Sequence, residues 1–194
     1  MTYYSVALFF HVVGALGFFI ALGLEWTRLR QVRSVTTCEQ VRASMRVYGS
    51  VRRFGMASML TILVSGFYLS AVAWGSVAWI IAALGALILI IVLTIVLTRP
   101  RIVSIGRALP AEKGPMSPAL RQLVNHPLLW VSIQTRVAIT LGIVFLMTVK
   151  PGLSGSLLTI GVATGLGLAL SLSMPGGERM EERPGGAVPA CREG

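Results

Sequence analysis

The sequence predicts an all-α fold, a polytopic transmembrane helical bundle of five spans with its N-terminus outside and its C-terminus inside. Hydrophobic residues make up 55% of the 194 residues and charged residues only 12%, and the mean hydropathy is +0.78. Several apolar runs exceed about 18 residues without a charged side chain, which is the length that a helix needs to cross a bilayer. This composition excludes a disordered chain, which requires low hydrophobicity and high charge.

The five spans are connected by two long basic segments and two short turns. We expect the spans at about residues 4–24, 54–73, 77–98, 130–149 and 156–173. Runs of roughly 18 to 23 residues give helices of about 27 to 35 Å. The first run ends in Glu25-Trp26 rather than in small residues, so we expect it to stay as a span and not to be a cleaved signal peptide. Residues 1–174 then form the bundle, and residues 175–194 are predicted to be a mobile cytoplasmic tail.

The basic residues predict the orientation, because cytoplasmic loops carry an excess of Lys and Arg. Seven arginines lie in the connection 25–53 and five basic residues in the connection 99–130, whereas the turn 74–76 has none. Both long connections are therefore expected inside, with Trp26 and Trp130 at the inner interface. The formal net charge of +10 indicates contact with an anionic inner leaflet and no nucleic-acid partner. We expect a multi-pass protein of the bacterial cytoplasmic (inner) membrane.

The long connections are predicted to contain short helices. A basic amphipathic helix is expected after residue 40, with Val41, Met45 and Tyr48 on its apolar side, lying at the inner membrane surface. In the second connection, Ser117-Pro118 has the pattern of an N-cap followed by a first helical residue. That second helix is expected to end at residues 125–127, where span four begins.

His11 and Glu25 share one stripe of the first span. Glu25 follows His11 by 14 residues, which is about 21 Å along a helix axis and within about 40° around it. Ionisable groups at membrane depth are rare and often functional, so both are candidate site residues on a face that we expect to point inward. His11 is either a neutral side chain bonded to a neighbouring carbonyl or hydroxyl, or a ligand or proton relay.

Arg136 is the most unusual residue of the fourth span. From Arg136 to Val149 there are 14 residues, about 21 Å of helix and too few to cross a core of about 30 Å. The span must begin near Trp130, which places Arg136 inside the membrane. Its side chain either extends to the interface or forms an internal ion pair, for which Glu25 is the predicted partner because it ends span one on the same side.

Small residues on two spans predict close helix packing. Gly14 and Gly17 lie in span one, and Gly161 and Gly165 form a GxxxG pattern in span five. We expect these glycines to pack inside the bundle. The alternative is a contact with a partner subunit, in a homo-oligomer or a larger membrane complex.

Few residues of the sequence are suited to binding a cofactor. Its two histidines, His11 and His126, are predicted at different depths, so they cannot be the two ligands of one haem. Met147 has a depth close to that of His11, which leaves a His/Met haem or copper site open; the alternative is that Met147 only fills space. Cys38 and Cys191 have no metal-ligand spacing. No Gly-rich phosphate loop, Ser/His/Asp set or pair of carboxylates points to hydrolytic or phosphoryl-transfer chemistry.

Two stretches resemble a known group of membrane proteins. The first carries the motif FHVVGA at residues 10–15 and continues to 23–26, and the second covers residues 136–151. Together they resemble an uncharacterised family of bacterial integral membrane proteins of the domain-of-unknown-function 2269 type. That family is more distantly similar to copper-resistance D-type membrane proteins and to the membrane part of membrane-bound urate oxidases. The resemblance implies a multi-span membrane protein; the copper and redox relatives use further histidines in other spans, which this sequence lacks.

Three functions are compatible with these features. The first is a non-enzymatic accessory or scaffold subunit, which is favoured because no complete catalytic constellation is present. The second is a haem- or copper-binding redox protein that uses His11, with Met147 as a second ligand. The third is a small oligomeric transporter or proton path lined by His11, Glu25 and Arg136.

Overall fold

The computed structural model describes residues 2–34, 37–75, 77–109 and 117–173. Within these ranges the chain forms α1 Thr2–Ser34, α2 Cys38–Leu69, α3 Ala78–Leu93, α4 Arg99–Ala108, α5 Pro118–Val124, α6 Pro127–Val149 and α7 Leu153–Ser173. Two π-helical turns, Ser70–Trp74 and Thr94–Thr98, extend α2 and join α3 to α4. The predicted tail at 175–194, with Cys191, lies outside the described residues.

In the described ranges, five helical stretches are long and apolar enough to cross a membrane, judged by length and composition. They are Tyr3–Val32, Cys38–Ala73, Ala78–Ala108, Pro118–Val149 and Leu153–Leu172. The described ranges contain no β-strand, so the prediction of an all-α bundle with five spans is confirmed. The chain is a multi-pass helical membrane protein, and helices suit this role because they satisfy their own backbone hydrogen bonds in lipid.

The helices extend far beyond the predicted spans at one end of the bundle. We call this the basic end, because the connections 25–53 and 99–130 lie there. α1 continues to Ser34, α2 already begins at Cys38, and the third stretch runs on to Ala108. These extensions pack around a second apolar cluster, the basic-end cluster. It consists of Cys38, Val41, Ile105, Leu109, Leu120, Val124 and Leu129.

The amphipathic helix predicted after residue 40 has the expected faces but continues into the second span. Val41 is fully buried in the basic-end cluster, and Met45 packs against that cluster. The segment is the first part of α2 and not a separate helix. Residues of α4 and α5 cover its apolar side, so this side does not need lipid to remove it from water.

α5 and α6 each begin with an N-cap residue followed by proline, a pattern that can be recognised in the sequence. Ser117 is the N-cap of α5 and accepts a hydrogen bond from the backbone N–H of Leu120 at 3.2 Å, which confirms the predicted start. The His126 side chain accepts from the backbone N–H of Leu128 at 3.3 Å and caps α6. In both helices proline follows the cap, where its missing N–H is not needed.

The central core lies where α1, α3 and α6 meet. Its buried residues are Phe18, Leu22, Ala86, Ile90, Trp130, Ile133 and Ile139. α1 pairs with α2 and α6 with α7, while α3 packs on α6 and α7 and α1 also contacts α6. Trp130 is only 6% exposed. Its ring lies on the inward side of α6 and packs in the core, while its level at the inner interface stays a prediction.

Gly14 and Gly17 allow α1 to approach α2 closely. A Cβ on Gly14 would lie 3.1 Å from the Ser58 carbonyl oxygen, and a Cβ on Gly17 would lie 2.6 Å from the Ser58 hydroxyl. A larger residue at either position would require a neighbouring group of α2 to shift. These two glycines pack inside the bundle, as the sequence predicts.

Gly161 and Gly165 behave differently from the prediction. Both are exposed, and a Cβ at either position would meet nothing within 4 Å. The expectation that this GxxxG pair packs inside the bundle is wrong, because the pair faces away from α6. Gly167 makes the close contact of α7 instead, since a Cβ there would lie 2.6 Å from the Cα atom of Thr135.

Candidate functional site

An ion pair joins α1 to α6 inside the bundle. Arg136 Nη2 donates to Glu25 Oε1 at 2.7 Å, and the two side chains are only 5% and 11% exposed. The predicted partner of Arg136 is therefore confirmed. The guanidinium stays within the bundle, as the internal ion pair requires.

Further polar groups hold both members of the pair. Tyr48 donates its hydroxyl to the same Glu25 oxygen at 3.2 Å, and Arg136 Nη1 donates to Thr94 Oγ1 at 3.4 Å. Arg136 Nε also donates to the Ser132 carbonyl oxygen at 3.4 Å. Burial of a charge is tolerated only when it is paired and hydrogen-bonded. We call Glu25, Tyr48, Thr94 and Arg136 the polar centre; it links α1, α2, the second π turn and α6.

The π-helical turn Thr94–Thr98 brings the third span into contact with the polar centre. Thr94 starts the turn and accepts from Arg136. Thr98, at the end of the turn, shares a hydrogen bond of 2.8 Å with the Ser132 hydroxyl, and both groups are buried. Short π segments occur frequently at functional sites. Here the segment directs two hydroxyls toward α6.

The sequence predicts the ion pair but not the roles of Tyr48 and Thr94. From the sequence, Tyr48 belongs to the apolar side of a surface helix, and its contact with Glu25 requires that α2 continue without a break into the membrane. Thr94 and Thr98 do carry a usable signal. Two hydroxyls four residues apart in an otherwise apolar span lie on the same side of a helix and indicate a polar neighbour there.

A cavity of about 100 Å³ adjoins the polar centre, between α1, α2, α3 and α6. Its polar lining is Glu25, Tyr48, Arg52, Thr94 and Arg136, and its apolar lining is Phe18, Ala21, Leu22, Val51, Gly55, Met56, Met59 and Ile90. Arg52 and Met56 are exposed, so the cavity is open along α2. The polar residues lie toward the basic end, whereas Phe18, Met59 and Ile90 lie deeper in the bundle.

His11 is bonded to α2 in the other half of the bundle. Its Nδ1 atom lies 3.2 Å from the Ile62 carbonyl oxygen and 3.2 Å from the Ser65 hydroxyl. A carbonyl oxygen can only accept, so the bond to Ile62 requires a proton on Nδ1, and in the neutral ring Nε2 then carries a lone pair. The ring lies beside Gly66, where a Cβ would be 3.0 Å from the His11 Cε1 atom. This geometry matches the neutral histidine bonded to a carbonyl and a hydroxyl.

The described contacts do not join His11 to the other predicted site residues. Phe18 and Leu22 lie between His11 and Glu25 on the same stripe of α1, and both are buried in the apolar core. Met147 is partly buried on α6, whereas the contacts of His11 come from α2. A proton path from His11 to the polar centre gains no support from this arrangement.

The polar centre can hold α1, α2 and α6 together through its hydrogen bonds, and it places charged groups in the lining of the adjoining cavity. In the part of the chain that the structure describes, no group of three or more His, Cys, Asp or Glu side chains is arranged to hold a metal ion. Comparisons with protein-family models, with curated proteins and with solved structures find no match for this chain.

Proposed function

We propose that this chain is a non-enzymatic accessory or scaffold subunit of a bacterial cytoplasmic membrane, oriented with its N-terminus outside. The polar centre carries the proposal. Glu25 and Arg136 neutralise each other and also bind Tyr48 and Thr94, so the buried charges connect four helical segments. Groups that move ions or protons must exchange partners, whereas these groups form one bonded set. A bonded set of this kind supports a rigid helical frame.

The outward side of α7 supports a role as a subunit. Gly161 and Gly165 carry no side chain on this side, and a Cβ at either position would meet nothing within 4 Å in the described chain. Small residues spaced by four let a second helix approach closely in a membrane, where van der Waals packing drives association. The pair therefore favours the alternative in which it contacts a partner helix.

A measurement of native mass tests the proposal. The tagged protein, produced at its natural level in its own host, would be extracted in mild detergent and weighed by native mass spectrometry. We expect a stoichiometric complex that is heavier than the 20.8 kDa chain. Replacing both Gly161 and Gly165 by Leu should release the chain from it, because the added side chains block close helix contact.

Gly85→Leu is the matched control for the mass measurement. Gly85 also lies within a span, is exposed, and has nothing within 4 Å of a Cβ, but it has no GxxxG partner. It should leave the mass of the complex unchanged. A wild-type chain recovered only as a monomer would contradict the proposal.

One observation favours a second candidate, a haem or copper site at His11. Metal-binding histidines usually donate their second ring N–H to a carbonyl or carboxylate, and the His11 bond to Ile62 has this arrangement. Met147 is the second ligand that the sequence predicts for this candidate. An absorption spectrum with metal analysis tests this candidate. A Soret band or stoichiometric copper that His11→Ala removes would support it, and a colourless, metal-free protein would contradict it.

A further inference from the structure

The cavity beside the polar centre has a polar end and an apolar end. Along α2, Tyr48 and Arg52 come first from the basic end, and Met56 and Met59 follow at one-turn intervals. On α3, Ile90 likewise lies one turn deeper than Thr94. A ligand that fits this lining has a charged or polar group at one end and hydrocarbon at the other.

The charge of the polar end favours an anion. Glu25 and Arg136 cancel each other as an ion pair, whereas no described carboxylate forms a salt bridge with Arg52. Arg52 therefore leaves the lining with an excess positive charge. Arg52 also stands two residues before the predicted start of the apolar run at 54, where the sequence pattern predicts the boundary with the lipid headgroups. A guanidinium there can donate two parallel hydrogen bonds to a phosphate group.

The size and opening of the cavity favour a lipid over a soluble ligand. A volume of about 100 Å³ is below the roughly 300 Å³ at which pockets begin to enclose drug-sized molecules. The cavity opens along α2, where Met56 is 61% exposed and faces the surroundings of the bundle. A lipid can place a few methylene groups inside and leave the rest of its chains in the bilayer.

We propose that this cavity binds an anionic phospholipid, with the phosphate at Arg52 and part of one acyl chain against Phe18, Met56 and Met59. The lipid fills the space that α2 leaves beside Ile90 of α3 and Arg136 of α6. Its bound chain adds to the apolar packing of α2, which otherwise rests mainly on α1. The site is independent of the partner helix suggested for α7.

Lipid retention in native mass spectrometry tests this site. Purified protein would be mixed with phosphatidylglycerol or phosphatidylcholine of identical chains, and the lipid-bound fractions would be compared. We expect the wild type to prefer phosphatidylglycerol. Arg52→Gln should reduce that preference about fivefold, which corresponds to the loss of one arginine–headgroup contact.

Arg53→Gln is the matched control, because Arg53 is the adjacent arginine, is exposed, and does not line the cavity. It should keep the preference for phosphatidylglycerol; an equal loss in both variants would overturn the proposal in favour of a diffuse basic surface. Met56→Trp narrows the opening at an exposed position that folding tolerates, and it should lower retention of phosphatidylglycerol. Unchanged retention in that variant would overturn the acyl-chain position.

Inorganic phosphate separates a lipid from a soluble anion. The protein would be given phosphate alone, and its melting temperature in detergent would be compared with that in phosphatidylglycerol. We expect stabilisation by the lipid and none by phosphate at the same concentration. Equal stabilisation would overturn the lipid and assign a soluble anion to Arg52.

Discussion

At the scale of single residues, Arg136 shows how an apolar span can carry a full charge. The Glu25 carboxylate lies 2.7 Å from the guanidinium, and Thr94 and the Ser132 carbonyl accept from its other nitrogens. An unpaired charge at this depth would be strongly unfavourable, whereas a pair with its hydrogen bonds complete is tolerated. The attraction between the two charges adds little to the free energy of unfolding, whereas removing one partner is costly because the other charge stays buried and unpaired.

Single replacements of the pair should therefore be severe. Glu25→Gln and Arg136→Gln should each lower the free energy of unfolding by about 3 to 5 kcal/mol, because each leaves the other charge buried without a partner. The double replacement should cost less than the sum of the two. Chemical unfolding in mixed detergent micelles measures all three values. Strict additivity would show that the two side chains do not interact in the folded protein.

Tyr48→Phe gives a graded comparison for the same centre. It removes one hydrogen bond to the Glu25 carboxylate and leaves the ion pair in place, so we expect a loss of about 1.5 to 3 kcal/mol. The same unfolding measurement applies. A loss as large as that of Glu25→Gln would mean that the hydroxyl, and not the guanidinium, is the main partner of the carboxylate.

At the scale of helices, opposite effects are expected from adding a methyl group at Gly167, which faces α6, and at Gly161, which faces away from it. Gly167→Ala places a Cβ 2.6 Å from the Thr135 backbone, and backbone cannot move aside as a flexible side chain can. Overpacking of this kind typically costs about 1 to 3 kcal/mol, so the melting temperature in detergent should fall. Gly161→Ala adds a methyl group to open space and should leave it unchanged. Equal effects would show that α7 is rotated about its axis.

The basic-end cluster makes a second prediction at this scale. Leu120 is fully buried there, on the short helix α5. Leu120→Ala should cost about 2 to 5 kcal/mol locally, so protease cleavage at the basic end should become faster while the spans stay intact. Val103→Ala, at an exposed position of α4, is the control. Cleavage at the wild-type rate in Leu120→Ala would mean that the connections are not packed together.

Whether a feature could be predicted from the sequence depends on the physical property that determines it. Apolar runs predict the spans, because length and hydropathy decide which helices can cross a bilayer. The helical period places Glu25 on the inward stripe, and the remaining length of span four places Arg136 near the level of Glu25, where the two side chains meet. The outward position of Gly161 and Gly165 could not be predicted, since α7 is apolar on all sides and its rotation depends on the shape of α6. The basic-end cluster could not be predicted, because segments rich in arginine between apolar runs are typical of connections outside the membrane rather than of a packed core.

At the scale of the whole molecule, the distribution of charge predicts the orientation of the bundle in the membrane. The basic connections and the turn at 150–152 lie at opposite ends of the bundle, because α6 runs from one to the other. A membrane protein keeps its arginine-rich end in the cytoplasm, since these residues are retained on that side during insertion and attract anionic lipid there. The arginines of the connections 25–53 and 99–130 therefore predict which end faces the cell interior.

Two glycine positions allow a matched test of orientation. Gly152 lies in the turn between α6 and α7, Gly106 lies on α4, and both are exposed with nothing within 4 Å of a Cβ. In a background with Cys38 and Cys191 replaced by Ala, Gly152→Cys should react with a membrane-impermeant maleimide in intact cells. Gly106→Cys should react only after the membrane is opened. The reverse pattern would place the N-terminus inside. The headgroup proposed at Arg52 would then belong to the outer leaflet. The positive-inside rule would not explain an arginine-rich end on that side of the membrane.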